Sequence, residues 1–378
     1  MRIGFDVRPF LKQETGVGVY FKNLLFELAE IDRENEYCLF SASYKDRFPP
    51  EKIPPFRNLK FVDKRWPVRF VNAAWDKFGF PKLDRVFGGR LDLSHSPTPL
   101  RLPASGKSIV TVHDLFFMEE PDKADREARV RFLRRTADSL QAADGIITVS
   151  QFSAQAIRNR FSLAEGKIKV IYHGLNRVFE DAATPAETAA VRRRLDLPGE
   201  FLLFVGALEP RKNVPALIEA LAIIHGKRGP VPLVLAGRSG GDREKVEQAI
   251  ERRGLQSRVR RPGYLSDIEI RALYGTATAL VFPSYGEGFG LPLLEAMACG
   301  LPAAASGVSA LPEIGGDAAV YFDPADPEDI ARAVLRLLED ETLRADLRLR
   351  GPRRAGLFRW RKTAETTLDF YQATVGRA

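Results

Sequence analysis

Short apolar runs alternate along this chain with longer stretches in which apolar positions recur every three or four residues. The runs at 2–6, 37–40, 59–62, 91–95, 108–112, 146–150 and 169–172 predict buried strands in the first half. Those at 201–205, 233–236, around Val259, at 278–282 and at 320–322 predict a second set. Helical spacing predicts a helix ending near Ile31 with Tyr20, Leu24, Leu25 and Leu28 on one face. It also predicts a basic amphipathic helix over 124–142 and one capped by Ser150. Further helices are predicted up to His225 and over 243–253, 267–275, 291–299 and 327–339, with a last one in 358–371. Strands that alternate with helices in this way predict an α/β protein. Between 180 and 198 the composition turns to Ala, Thr, Pro and charge, which predicts a linker region holding a short helix. The expected organisation is one α/β domain over 1–180, a linker region over 181–199, a second α/β domain over 200–357 and a terminal segment over 358–378.

Length and composition support this division. A chain of 378 residues is long enough for two ordinary domains, and 45% apolar residues fill real cores. No stretch reaches the roughly 18 uninterrupted apolar residues of a membrane span. The first residues run straight into a strand with no signal-peptide pattern. The two cysteines, Cys38 and Cys299, suggest neither a disulfide framework nor a zinc site, so a reduced, cytoplasmic protein is expected. A formal charge of +8 admits nucleic acid, an anionic membrane surface or anionic substrates. No nucleic-acid motif accompanies it, which leaves the last two.

The densest chemistry lies in Pro283-Ser-Tyr-Gly-Glu-Gly-Phe-Gly-Leu-Pro-Leu-Leu-Glu295. A strand leads into it, Gly286, Gly288 and Gly290 fall within five residues, and Leu291 opens a helix with Pro292 in its first turn. A strand, a glycine turn and a helix start together present backbone N–H groups to an anion. Glu287 and Glu295 bracket the turn, and a carboxylate in such a place accepts hydrogen bonds from neighbouring sugar hydroxyls. Taken singly, Glu287 reads as a solvated loop acid and Glu295 as a helix-face acid.

Three other places carry candidate chemistry. The segment Glu14-Thr-Gly-Val-Gly18 is a glycine-rich helix start, read equally as a ligand loop and as an ordinary helix entry. It is not a dinucleotide fingerprint, because Phe21 holds the position of the third glycine. His113 stands at the tip of a predicted buried strand, where α/β folds put ligand contacts. There it could bond a sugar hydroxyl or steady developing charge, although a single strand-end histidine is more often structural. Arg211 and Lys212 follow the strand that ends before Gly206, and a fork beside a point charge suits a diphosphate. The bland reading is a pair of solvated loop charges.

The Glu287–Glu295 stretch resembles the E-x7-E element of retaining glycosyltransferases of family GT4, almost residue for residue. Similar stretches follow the family order from residue 1 to about 370: the T-G-x-G at 15–18, the His113-Asp114 pair and the R-K-N at 211–213. The resemblance implies two facing Rossmann-like domains in the GT-B arrangement, with a cleft between them and a last helix crossing back to the first domain. It implies that the N-terminal domain takes the acceptor and that the C-terminal domain takes a nucleotide sugar. Carried onto this chain, it assigns donor contacts to Gly16, Gly18, Gly206, Gly237, Tyr264, Leu265, Gly288, Phe289, Gly290 and Leu291. Arg211 and Lys212 would hold the departing diphosphate, Glu287 the donor-sugar hydroxyls and Glu295 the ribose, with His113 near the sugar. The departing phosphate would take the acceptor proton, so no side chain is assigned as general base.

No Asp-x-Asp occurs, so transfer without a metal is expected. The N-terminal M-R-I-G-x-D-x-R-P resembles bacterial O-antigen and capsule mannosyltransferases, which points to GDP-mannose, with a UDP-sugar as the competing donor and a saccharide or lipid-linked saccharide as acceptor. A non-catalytic nucleotide-sugar-binding module is a separate class that the sequence leaves open, and an NAD-dependent oxidoreductase fails on the missing fingerprint. Residues 64–82 combine five cations, five aromatics and a single acid. They read either as core under a loop, favoured for Trp75 and Phe78, or as a patch that meets the inner face of the plasma membrane, with the arginines of 124–142 extending it.

Overall fold

The computed structural model describes residues 1–10, 16–118 and 126–376. The chain forms two compact units, one from Met1–Gly174 with Arg359–Ala378 and the other from Leu175–Phe358.

In the first unit the strands are β1 (Arg2–Asp6), β2 (Glu36–Ala42), β3 (Leu59–Lys64), β4 (Leu93–Ser96), β5 (Lys107–Val112), β6 (Gly145–Thr148) and β7 (Ile168–Val170). They pair in parallel in the order β3-β2-β1-β4-β5-β6-β7. The order therefore reverses between β1 and β4. Parallel pairing buries both faces, which is why these strands read as apolar runs. Phe5 of β1 lies 5.6 Å from the Phe21 ring and stacks on Tyr37 at 6.0 Å. The helix Trp360–Val375 joins this core with Trp360, Phe370 and Tyr371. Each of those side chains, fully buried, contributes on the order of 1.5–3 kcal/mol.

The second unit has β8 (Leu202–Val205), β9 (Leu233–Ala236), β10 (Val259–Gly263), β11 (Ala279–Phe282), β12 (Ala303–Ser306) and β13 (Val320–Phe322). Their order is β10-β9-β8-β11-β12-β13, again all parallel. The reversal here falls between β8 and β11. At the unit's ends the Leu175 amide donates to the Phe358 carbonyl at 2.9 Å.

Residues 181–199, expected as a linker, hold the helix Pro185–Arg194, which opens with a Thr184/Glu187 capping box. Arg271 of the helix Asp267–Tyr274 bonds Glu187 at 2.8 Å, so this stretch packs within the second unit. Strand β12 is absent from the sequence reading. Its Ala303-Ala-Ala-Ser306 is a run of good helix formers, and only burial between β11 and β13 makes it a strand. The helix Glu341–Ala355 was also missed, since it contains Pro352. Among the described residues no helix is long and apolar enough to cross a membrane.

Candidate active site

The first turn after β8 is the short helix Pro210–Lys212, closed by Asn213 in the left-handed conformation. The Asn213 side chain donates from Nδ2 to the Pro324 carbonyl at 2.7 Å, which pins that turn. Across the sheet reversal, β11 runs into the glycine loop. The Tyr285 amide donates to the Arg211 carbonyl at 2.8 Å and ties the two loops together.

The side chains then converge. Lys212 Nζ lies 2.5 Å from Glu287 Oε1, and Arg211 Nη1 lies 2.9 Å from Glu287 Oε2. Lys212 is 6% exposed and Glu287 7%. Glu287 is therefore not the solvated loop acid of the single-residue reading. It is a buried carboxylate shared by two cations. Its backbone is fixed as well, since its amide bonds Ser309 Oγ at 3.1 Å and its carbonyl accepts from the Ala310 amide at 3.3 Å. Burial alone would raise this carboxyl, but the Lys212 and Arg211 charges outweigh it and hold the group below the usual carboxylate range. Lys212 Nζ also sits 4.9 Å from the centre of the Phe282 ring. Arg211 carries a second acid, with its Nε 3.1 Å from Glu209 Oε2.

Glu295 stands apart from this cluster. It lies in the helix Leu291–Ala298 and accepts from the Tyr274 hydroxyl at 3.1 Å. Burial pushes its carboxyl up to about 7, against the pull of the Tyr274 hydrogen bond and with a further push from Asp267.

The glycines are explained by backbone geometry. Gly290 has φ 108° and caps the helix that Leu291 begins. Gly237 has φ 152°, and a Cβ there would meet the Gly206 carbonyl oxygen at 1.9 Å, so the loops after β8 and β9 touch through bare backbone. Phe289 is buried against Phe358, with rings 5.7 Å apart, and Leu265 is buried too. Tyr264 is exposed, with the Arg238 guanidinium 4.7 Å over its ring, a pairing that the sequence reading did not pick out. Gly288 lies in the loop between Glu287 and the Gly290 cap.

In the first unit Gly16 opens the helix Gly16–Ile31 and Gly18 is buried one turn in, while Glu14 and Thr15 of the predicted motif lie outside the described residues. His113 follows β5. Its Nε2 lies 3.2 Å from the Pro97 carbonyl, which can only accept, so Nε2 carries the proton and Nδ1 is an acceptor. Burial lowers its pKa to about 4, so the ring is neutral at physiological pH. That fits a bond from a sugar hydroxyl and disfavours a cationic role. The Tyr20 ring meets His113 edge-on at 4.9 Å, and the His173 ring is 5.4 Å away. His95 is a core residue, bonded to Tyr371 at 2.5 Å and to Thr111 at 2.8 Å.

A strand-end histidine, a buried Lys–Glu–Arg cluster and a glycine-capped helix start therefore occupy the places where α/β sheets bind ligands. The sequence model described as "Glycosyl transferases group 1" matches residues 187–354, and the one described as "Glycosyltransferase Family 4" matches 15–178. The chain is 30% identical to O-antigen chain mannosyltransferase B of Escherichia coli over 98% of its own length and 100% of that protein's. This chain belongs to the group 1, family 4 glycosyltransferases. Serotype-specific mannosyltransferase WbdA of Escherichia coli is 31% identical over 70% of the chain, which spans 33% of that longer protein. Among solved structures, sucrose-phosphate synthase from Thermosynechococcus elongatus superposes with a TM-score of 0.78 at 22% identity, covering 100% of both chains. Anabaena HepE, solved with UDP-glucose, superposes at 0.74 and 19% identity over 99% of this chain and 100% of its own. The fold is the GT-B fold of this glycosyltransferase family.

Proposed function

We propose that this glycosyltransferase moves mannose from GDP-mannose onto a saccharide or lipid-linked saccharide, with retention, in bacterial surface polysaccharide synthesis. The supporting observation is the Arg211–Glu287–Lys212 cluster at the reversal of the second sheet. A nucleotide diphosphate leaving group gains negative charge as its bond to the sugar breaks. A guanidinium fork and a desolvated ammonium stabilise that charge without a metal. Glu287 uses one acceptor site on each oxygen for the two cations, and a carboxylate has about four such sites, so both oxygens can still accept from sugar hydroxyls. Glu295 takes the ribose. On the first unit, Gly16, Gly18 and His113 are assigned to sugar hydroxyls, with the neutral His113 Nδ1 as acceptor.

The choice of mannose rests on the full-length similarity to O-antigen chain mannosyltransferase B. A UDP-sugar is the competing donor, supported by the likeness in fold to HepE with UDP-glucose. The test is a mass-spectrometric screen of nucleotide sugars for hydrolysis and transfer, with and without EDTA. Turnover of GDP-mannose that survives EDTA is expected. Turnover of UDP-sugars alone would reassign the donor, and binding without turnover would make the chain a non-catalytic module.

The localisation proposed is peripheral, on an anionic membrane. The helix Val68–Phe78 leaves Phe70 75% and Phe78 77% exposed, among Lys64, Arg65, Arg69 and Lys77. Phe78 is thus not core. Trp75 does pack inward, 5.5 Å from the Phe40 ring. Asp76, the single acid of the stretch, is paired with Arg135, which therefore adds no free charge to the patch. The side chains of Arg126 and Arg129 lie outside the described residues.

A further inference from the structure

We infer that Ser309 is a positioning residue for Glu287: its hydroxyl, presented by a left-handed backbone, sets the main chain from which that carboxylate reaches its two cations and the donor. The inference rests on the assignment of the Arg211–Glu287–Lys212 cluster to the donor, and it adds a residue outside every motif singled out in the sequence. Strand β12 ends at Ser306, whose Oγ donates to the Phe282 carbonyl at 3.3 Å, and the Gly307 amide donates to the Phe322 carbonyl at 2.7 Å. The turn that follows is thus held by β11 on one side and β13 on the other. Ser309 in that turn has φ 60°. Among the described residues three that are not glycine have positive φ: Asp196, Asn213 and Ser309. Two of the three adjoin the cluster, Asn213 next to Lys212 in the chain and Ser309 against Glu287. Asparagine and aspartate adopt this region readily, serine has no such preference, and glycine would sit there without strain. A Cβ is therefore kept at 309 against the preference of the backbone. What it carries is the Oγ that accepts from the Glu287 amide at 3.1 Å. Strain of this kind persists where the surroundings impose it, and it collects at functional sites.

The same turn grips the glycine loop at both ends. The Ala310 amide donates to the Glu287 carbonyl at 3.3 Å, so Glu287 is bonded on both sides of its Cα. At the far end a Cβ on Gly290 would meet Leu311 Cδ2 at 2.5 Å, and Leu311 is fully buried. The Ala310 bond is main chain and survives any substitution at 309. The Ser309 bond depends on one hydroxyl. Without it the Glu287 backbone can shift while Lys212 and Arg211 still hold the carboxylate. A small displacement of a group that must match the transition state lowers rate more than it lowers ground-state binding.

The test is steady-state turnover of GDP-mannose, or of UDP-glucose if only that donor reacts, alongside the thermal midpoint. Ser309→Gly removes the hydroxyl and relieves the backbone. Its kcat should fall roughly 2- to 13-fold, with a donor KM within about twofold of the wild type's. Its midpoint should move by less than about 3 °C, because the relief offsets the lost bond. Ser309→Thr keeps the hydroxyl but puts a β-branched side chain in a left-handed position. It should lose several degrees of midpoint while kcat stays within about twofold. A merely structural residue would move rate and midpoint together. In a Glu287→Gln background, Ser309→Gly should lower kcat by less than about twofold further, because the two residues act as a unit. Hydrogen exchange of the Glu287 amide should quicken at least about fivefold in Ser309→Gly. Wild-type kcat in Ser309→Gly, or the same loss in the Glu287→Gln background as in the wild type, overturns the inference. Full turnover in Glu287→Gln itself would instead remove the donor reading of the cluster. The exchange of the Glu287 amide would then decide alone whether Ser309 holds that backbone.

Discussion

In the second unit the loops after β8 and β11 press a buried lysine against a buried glutamate, with an arginine on the other oxygen. In the first unit the loops after β1 and β4 hold an open cavity lined by the Arg8–Asp6 and Arg135–Asp76 pairs and by Arg101, while the tip of β5 offers a neutral histidine. Both sheets are parallel, and each reverses its order beside the first strand of its unit. One topology thus supplies two kinds of site. The second is charge-dense and dry, which suits a leaving diphosphate. The first is open and lined by ion pairs and Arg101. The side chains that make the difference can be probed one residue at a time.

The largest effect is expected at Glu287. Its replacement by alanine removes charge-assisted hydrogen bonds worth about 1.5–3 kcal/mol, a loss of roughly 10- to 100-fold in turnover. It also leaves Lys212 buried without its carboxylate, which costs about 3–5 kcal/mol of stability. A solvated loop acid, as Glu287 reads when taken singly, would instead leave folding almost unchanged on replacement. Urea denaturation and steady-state rates are the measurements. A Glu287→Leu, Lys212→Met double variant should recover much of the lost stability and none of the activity. Recovery of activity as well would end the assignment of this cluster to the diphosphate.

His113 comes next. In His113→Phe the ring volume is kept against Tyr20 and His173 while the Nδ1 acceptor is lost. A neutral hydrogen bond contributes about 0.5–1.5 kcal/mol, so turnover should fall roughly 2- to 13-fold, with little change in thermal midpoint. The wild-type rate should show no titration of this group near neutrality, since its pKa lies near 4. An unchanged rate in the variant would return His113 to a structural role.

A smaller, pH-dependent effect is expected at Glu295. Its folded pKa of about 7 lies above the ordinary 4.5. The folded state therefore holds the extra proton between those values. The contribution to stability is full below about pH 4.5, falls as pH rises through the window, and is flat above about 7. Ribose hydroxyls donate to the ionised form, so donor binding should run the opposite way, with the donor KM falling between about pH 6 and about pH 8. Its titratable neighbours are Tyr274, Asp267 and Cys299. Glu295→Gln should flatten the profile. An identical profile in that variant would remove Glu295 from the nucleotide site.

Much of this was legible in the sequence. Apolar runs marked twelve of the thirteen strands among the described residues, the glycine loop stood out by its spacing, and the R-K-N stood out by its resemblance to GT4. What the sequence could not show was partnership. Lys212 and Glu287 are 75 residues apart and meet only because β8 pairs with β11. The same is true of Asp6 and Ser96, joined through β1 and β4. Local composition could not separate Trp75 from Phe78 either. Three positions apart on one helix, the first packs against Phe40 and the second faces solvent.

That last contrast sets the smallest predicted effect. The exposed Phe70 and Phe78 belong to the first unit, amid cations whose single acid is already neutralised by Arg135. Each basic residue near an anionic bilayer contributes about 1 kcal/mol, and the rings sit at the headgroup boundary, so the docking expected is weak and salt-sensitive. Vesicles containing phosphatidylserine should pull down the wild type at low salt and release it at high salt, because screening shortens the reach of the charges to a few ångströms. Phe70→Ser with Phe78→Ser should weaken binding several-fold at low salt. Changing the scattered exposed Leu349 and Leu357 of the second unit to Ser should not. Equal binding to neutral and anionic vesicles, or none to either, would leave the helix Val68–Phe78 as an edge of the first-unit cavity with no membrane role.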